Sequence, residues 1–149
     1  MSGFSWQARV YWEDTDAGGI VYYANYLRFL ERARSEWLRS RGISQSALAR
    51  DPGVVFSVVE LQARYHRPAR LEDMLRVDCE PSREGGASLR FNQRIWRESG
   101  ERGEGAAGAA GSEGGEGTLV LSATVRVACV DARTMKPRRL PAVIAQELP

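Results

Sequence analysis

Apolar and polar residues alternate over Ser5–Trp12, with Trp6, Ala8, Val10 and Trp12 on one side and Gln7 and Arg9 on the other. Period two predicts a strand. The Glu13–Gly19 segment ends it, because Asp, Asp, Gly and Gly are turn formers. From Tyr23 or Ala24 to about Arg41 the period becomes helical. Tyr26, Leu30, Ala33 and Trp37 recur at spacings of three and four, with Leu27, Arg34 and Leu38 alongside. Arg28, Arg32, Glu36 and Arg39 fall on the more polar side. Glu31–Arg34 and Arg32–Glu36 are spaced to pair along the surface, and Gly42 stands at the C′ stop position. Ser44–Arg50 reads as a short second helix or turn that ends before Pro52.

Strand patterns follow. In Val54–Tyr65 the residues Val55, Val59, Leu61, Ala63 and Tyr65 are expected on one face, and Pro68 ends the run. Asp73–Glu80 sets Leu75, Val77 and Cys79 against Arg76, Asp78 and Glu80. Ala87–Arg97 sets Leu89, Phe91 and Ile95 against Arg90, Asn92 and Arg94. In Thr118–Val130 the residues Leu119, Leu121, Ala123, Val125, Val127 and Cys129 face one way. Between the last two strands, the segment at about 98–117 holds about half of the chain's 15 glycines and no large apolar residue. Such a stretch buries too little surface to offset its ordering entropy, so it reads as a flexible insertion at a hairpin tip. The tail from Asp131 to Pro149 shows a basic cluster, MKPRRLP, and no clear element. One amphipathic helix and about five strands, each apolar on one face, predict a single α+β domain over residues 1–149 with an antiparallel sheet wrapped around the helix.

Composition narrows the function classes. The net charge of +2 is too small for nucleic-acid binding, and no basic stripe appears. Cys79 and Cys129 both sit in alternating apolar stretches and read as buried free thiols, which suits a reducing cytoplasm. The N-terminus has no basic region leading into an apolar run, so it does not read as a signal peptide. No apolar run approaches the roughly 20 residues needed to span a bilayer. No Cys/His/Asp cluster has metal-ligand spacing, and no Ser-His-Asp or Cys-His pattern is present, so neither cofactor nor metal is expected.

The candidate chemistry lies in Glu13–Tyr26, EDTDAGGIVYYANY. Asp14 and Asp16 are not separable on pattern alone. Asp16, three residues before Gly19, can be left exposed by a turn of small residues; Asp14, nearer the strand end, is better placed to fix that turn. The plain alternative for Asp16 is that it bonds only its own turn. Gly18 and Gly19 allow a substrate close to the backbone. The helix start near Tyr23 offers unpaired N–H groups and partial positive charge. Asn25 either holds the helix start or lines the pocket, and His66 is the sole histidine.

The run YWEDTDAGGIVYYANYLRFLERAR, followed by YHRPARLEDML and VDARTMKPRRLP, closely resembles the hot-dog-fold acyl-CoA thioesterases. It resembles most the Tol-Pal-associated branch related to 4-hydroxybenzoyl-CoA thioesterase. The resemblance spans nearly the whole chain outside the glycine-rich insertion. It implies a hot-dog fold and an acyl-CoA substrate; acyl carrier protein is a further candidate partner. It further implies active sites at a dimer interface, in a homodimer or homotetramer. Asp16 aligns with the family's catalytic aspartate, acting as nucleophile or general base, and the Tyr23 N–H is expected to stabilise the thioester oxyanion. Gly19, Val21, Tyr22, Asn25 and His66 are expected around the substrate. Many members of this branch carry His at the position of Tyr23, so a mechanism that needs that imidazole is not open here. A glutamate on the helix is catalytic in other hot-dog enzymes; Glu31 is expected instead to make structural contacts. Arg64, Arg67, Arg70, Lys136, Arg138 and Arg139 are candidates for the phosphates of coenzyme A. Two alternatives stay open: a hot-dog dehydratase or hydratase, and a module that binds acyl thioesters without turnover.

Overall fold

The computed structural model describes residues 3–99 and 117–149. Nearly all of the glycine-rich insertion therefore lies outside the described residues. The chain order is strand β1 (Phe4–Arg9), helices α1 (Tyr26–Ser40) and α2 (Gln45–Arg50), strands β2 (Val54–Tyr65), β3 (Met74–Arg83), β4 (Ser88–Arg97) and β5 (Thr118–Asp131), and a short helix α3 (Ala142–Ala145). Among the described residues the strands form one antiparallel sheet in the order β1-β3-β4-β5-β2. Consecutive strands β1 and β2 thus sit at opposite edges, and α1 makes the crossing between them.

The core lies between α1 and one face of the sheet. Tyr26, Phe29, Leu30, Ala33, Trp37 and Leu38 are the buried residues of α1. Their spacing is the helical stripe read from the sequence, with one exchange: Phe29 is buried, and Leu27 is left partly exposed. From the sheet come Leu75, Val77, Cys79, Leu89, Phe91, Ile95, Leu121, Val125 and Cys129. Each large apolar side chain here is worth about 1.5–3 kcal/mol by burial. Trp37 meets the Phe91 ring edge-on at 5.8 Å. Gln93 is the polar residue on this face. Its Nε2 donates to the Leu30 carbonyl and its Oε1 accepts from Arg34 Nη1, each at 3.1 Å, so a buried amide hooks the sheet to the helix. Both cysteines are buried free thiols, as expected. Burial pushes the Cys79 thiol up to about 12, which keeps it protonated and inert.

Several local expectations need correction. Strand β1 stops at Arg9; Trp12 opens a 3-10 turn and is 82% exposed instead of joining the apolar face. The helix begins as a 3-10 turn, Tyr23–Asn25, before α1. A bulge at Val59 shifts the register of β2, so Phe56 and Val58, not Val55 and Val59, share a face with Leu61, Ala63 and Tyr65. A second irregularity inserts Val120, which turns Leu119 toward Trp96 on the other face. Glu36 pairs with Arg39 instead of Arg32, and Glu31, which acts electrostatically on Arg34 as expected, also accepts from Ser35. The tail supplies α3, whose Ile144 is fully buried.

Candidate active site

The acidic turn is built by its own side chains. Asp14 is 8% exposed, and its Oδ2 accepts from Tyr11 N–H at 2.8 Å. Its carbonyl accepts from Tyr22 N–H and from Asn25 Nδ2, both at 3.0 Å. Asp14 therefore ties the end of β1 to the start of α1. The Asn25 side chain thus bonds the turn to the helix start.

The glycines follow. Thr15 and Val21 face each other as a bridge, and Asp16 N–H donates to the Ile20 carbonyl at 3.0 Å. Gly19 N–H returns to the Asp16 carbonyl at 2.9 Å. Gly19 has φ +84°, a left-handed conformation in which a side chain is strained. A Cβ on Gly18 would sit 3.2 Å from Asp16 Oδ1. Asp16 is exposed; its Oδ1 accepts from Gly18 N–H at 2.8 Å. The Asp16 Oδ2 has no hydrogen-bond partner among the described residues. The turn bond and an open oxygen thus coexist on one carboxylate.

The helix start is fixed from a third direction. Tyr65, at the end of β2, donates its hydroxyl to the Tyr23 carbonyl at 2.9 Å. Its ring meets Tyr26 edge-on at 5.6 Å and Tyr23 at 6.4 Å. Tyr26 O–H in turn accepts from Ala69 N–H at 3.0 Å, and Val21 N–H donates to the Ala69 carbonyl at 2.8 Å. Burial raises the phenol pKa of both Tyr26 and Tyr65, so both stay protonated at neutral pH. Tyr23 opens the 3-10 turn, where an N–H has no acceptor within the helix. Tyr11, Trp12, Tyr22, Tyr23 and Tyr65 surround this corner and are all substantially exposed.

The chain matches the thioesterase superfamily model over residues 18–104. It belongs to the thioesterase superfamily. It is 44% identical to the acyl-CoA thioester hydrolase YbgC of Escherichia coli O157:H7, across 97% of this chain and 94% of that protein. Identity to the acyl-CoA thioesterase YbgC of Haemophilus influenzae is 43%, across 94% and 90%. The crystal structure of a probable thioesterase from Bartonella henselae superposes with a TM-score of 0.77 at 34% identity, covering 94% of this chain and all of that one. The architecture is the hot-dog fold expected from the sequence, and the protein is a thioesterase. The superfamily match begins at Gly18, two residues after Asp16.

The remaining positions of this thioesterase divide clearly. Val21 is in the core, and contributes packing and a backbone bond. Tyr22 is partly exposed, against the Tyr23 ring. His66 is on the far face of the sheet, with Nε2 at 3.0 Å from Ser122 Oγ, so its side chain is not brought to the acidic turn. Arg138 is held by Asp131 at 2.8 Å and by the Pro52 carbonyl at 3.1 Å, which gives it a structural task. Tyr65 was not singled out by sequence. Its alternation with Ala63 showed which face it takes, but not that this end of β2 reaches the helix start.

Proposed function

We propose that the chain is an acyl-CoA thioesterase in which Asp16 drives hydrolysis and the Tyr23 N–H stabilises the oxyanion. One observation supports this above the others: a carboxylate with an open oxygen stands on a turn that two hydrogen bonds to the Asp14 carbonyl tie to an uncapped helix start, itself held by the Tyr65 hydroxyl. The relatives named acyl-CoA thioesterases along nearly the whole chain support the acyl-CoA thioesterase activity in this reading. As general base, Asp16 takes a proton from water while the water oxygen bonds to the thioester carbon. As nucleophile, its own oxygen forms that bond, and water then splits the resulting anhydride. On either route the carbonyl oxygen gains charge, which the Tyr23 N–H and the positive helix end stabilise, and the C–S bond breaks to release the thiol. The products are a carboxylic acid and CoA.

The reading includes a homo-oligomer. Leu27, Val58, Val59 and Tyr65 are exposed along α1 and the free edge of β2, next to the exposed aromatics of the turn. An unpaired edge strand with apolar flanks is stabilised by pairing with a second copy, which would also enclose the substrate.

A hydratase pairs an imidazole with its carboxylate, and the sole His66 bonds Ser122 on the opposite face. The test is a thiol-release assay across acyl-CoAs of differing length and aromaticity, with an enoyl thioester included. Free thiol together with free acid is the expected result. Hydroxyacyl-CoA from the enoyl substrate, or tight binding with no thiol released from any substrate, would reject it.

A further inference from the structure

The outer face of the sheet carries charge along its length, and at one end it is balanced. There, Arg90 grips Glu84 through two hydrogen bonds of 2.6 and 2.9 Å, and Arg126 pairs with Glu60 at 3.6 Å. Arg90 and Arg126 face each other in register, and like charges so placed repel; each has its own carboxylate.

The other end is built differently. Arg64 of β2, Ser122 of β5 and Arg94 of β4 form a single cross-strand row, with Ser122 between the arginines. Among the described residues neither arginine has an ion-pair partner. The carboxylate nearest in register to Arg94 is Asp78, and it is already taken by Ser5, Arg76 and Trp96 at 2.9, 3.0 and 2.9 Å. The next row, Gln62, Thr124 and Asn92, adds uncharged donors and acceptors. Both rows line one concavity of about 370 Å3, with Glu80 on its β3 side. His66 reaches Ser122 from the rim.

Strands lie about 4.8 Å apart, so Arg64 and Arg94 flank Ser122 about 10 Å from each other at the backbone. Two guanidinium-bearing side chains on either side of a hydroxyl, lining one concavity, can offer donors to a compact, multiply charged oxyanion, and a phosphate group suits that donor set. We propose that the Arg64–Ser122–Arg94 row is a phosphate-binding site. Bound phosphate supplies the counter-charge that Glu60 and Glu84 supply at the other end. The phosphate comes either from the nucleotide end of the thioester substrate, an option that rests on the acyl-CoA reading, or from a separate phosphorylated ligand. The substrate option has a short path, since Arg64 adjoins Tyr65, which anchors the catalytic corner across the thickness of one sheet.

Titration calorimetry with inorganic phosphate and pyrophosphate tests the site on the whole protein. Saturable binding is expected, weakened about tenfold or more in Arg64→Gln/Arg94→Gln and unchanged in Arg126→Gln. Arg64 and Arg94 are exposed and Arg126 is half-buried, and circular dichroism in phosphate-free buffer checks the folding of both variants. KM for acyl-CoA and for the matching acyl-pantetheine, which lacks the nucleotide phosphates, separates the sources. A rise for acyl-CoA alone assigns the site to substrate; no change in either, with phosphate binding lost, assigns it to another ligand. The titration reads the site even if no thioester is hydrolysed. No saturable binding to the unmodified protein, or equal affinity in the double variant, would overturn the proposal. So would a change of oligomeric state in that variant without phosphate binding, which would mark the face as a contact between copies.

Discussion

Asp14 and Asp16 lie two residues apart, and the fold treats them in opposite ways. Asp14 is buried, and its carboxylate and carbonyl together receive three hydrogen bonds. Asp16 is exposed, with one oxygen anchored to Gly18 and the other open. The strand side of the turn spends its carboxylate on structure; the glycine side leaves one carboxylate oxygen without a bond among the described residues, which the proposed mechanism uses.

The sharpest way to break that contrast is to keep the charge of Asp16 and move it. In Asp16→Glu the extra methylene displaces the carboxylate from its Gly18 anchor, and a displacement of this size costs about 10²-fold in kcat. Stability of this exposed site stays within about 0.5 kcal/mol, checked by thermal melting beside the thiol-release assay. Asp14→Ala tests the other half. It strips Tyr11 N–H of its acceptor and costs about 1–3 kcal/mol in denaturant unfolding. Gly19→Ala strains a residue at φ +84° and costs about 1–2 kcal/mol, although open space surrounds the new methyl. Tyr65→Phe removes the hydroxyl bond to the Tyr23 carbonyl and costs about 0.5–1.5 kcal/mol, and a fall in kcat greater than any change in KM ties that bond to placement of the Tyr23 N–H.

Asp131 extends the structural side of the comparison and is expected to show the smallest effect. N–H groups of Thr134 and Arg133, then Arg138, hold its carboxyl down at about 2, below the usual 3.8. A folded-state pKa below the unfolded value stabilises the fold above about 3.8, and that contribution is lost as pH falls through about 2. Asp131→Asn is expected to flatten acid unfolding in that window, measured by circular dichroism against pH.

Much of the fold was legible because it rests on periodicity. The α1 stripe, the four later strands and the Gly42 stop (φ +76°) follow from spacing that burial enforces. The failures fall where one residue resets the period. Val59 and Val120 are bulges, and no composition cue distinguishes an extra valine from a paired one. Trp12 read as the end of an apolar face, yet Asp14 captures the Tyr11 N–H and curls the chain into a 3-10 turn first. The candidate residues lie within one stretch, so the motif located the turn, and the place of Asp14 nearer the strand end already suited it to fixing that turn; which backbone groups it holds needed bonding that pattern does not encode. Tyr65 was hidden because its contact with Tyr23 spans 42 residues. His66 drew notice for its chemistry, while the strand's alternation placed it on the opposite face.

The central claim concerns one carboxylate, and the isosteric change tests it most directly. Thiol release by Asp16→Asn should be measured against the best substrate of the unmodified protein, with the melting temperature of the same preparation. The account predicts a loss of about 10²–10⁴ in kcat at an unchanged melting temperature. Activity near that of the unmodified protein in a folded Asp16→Asn would contradict it.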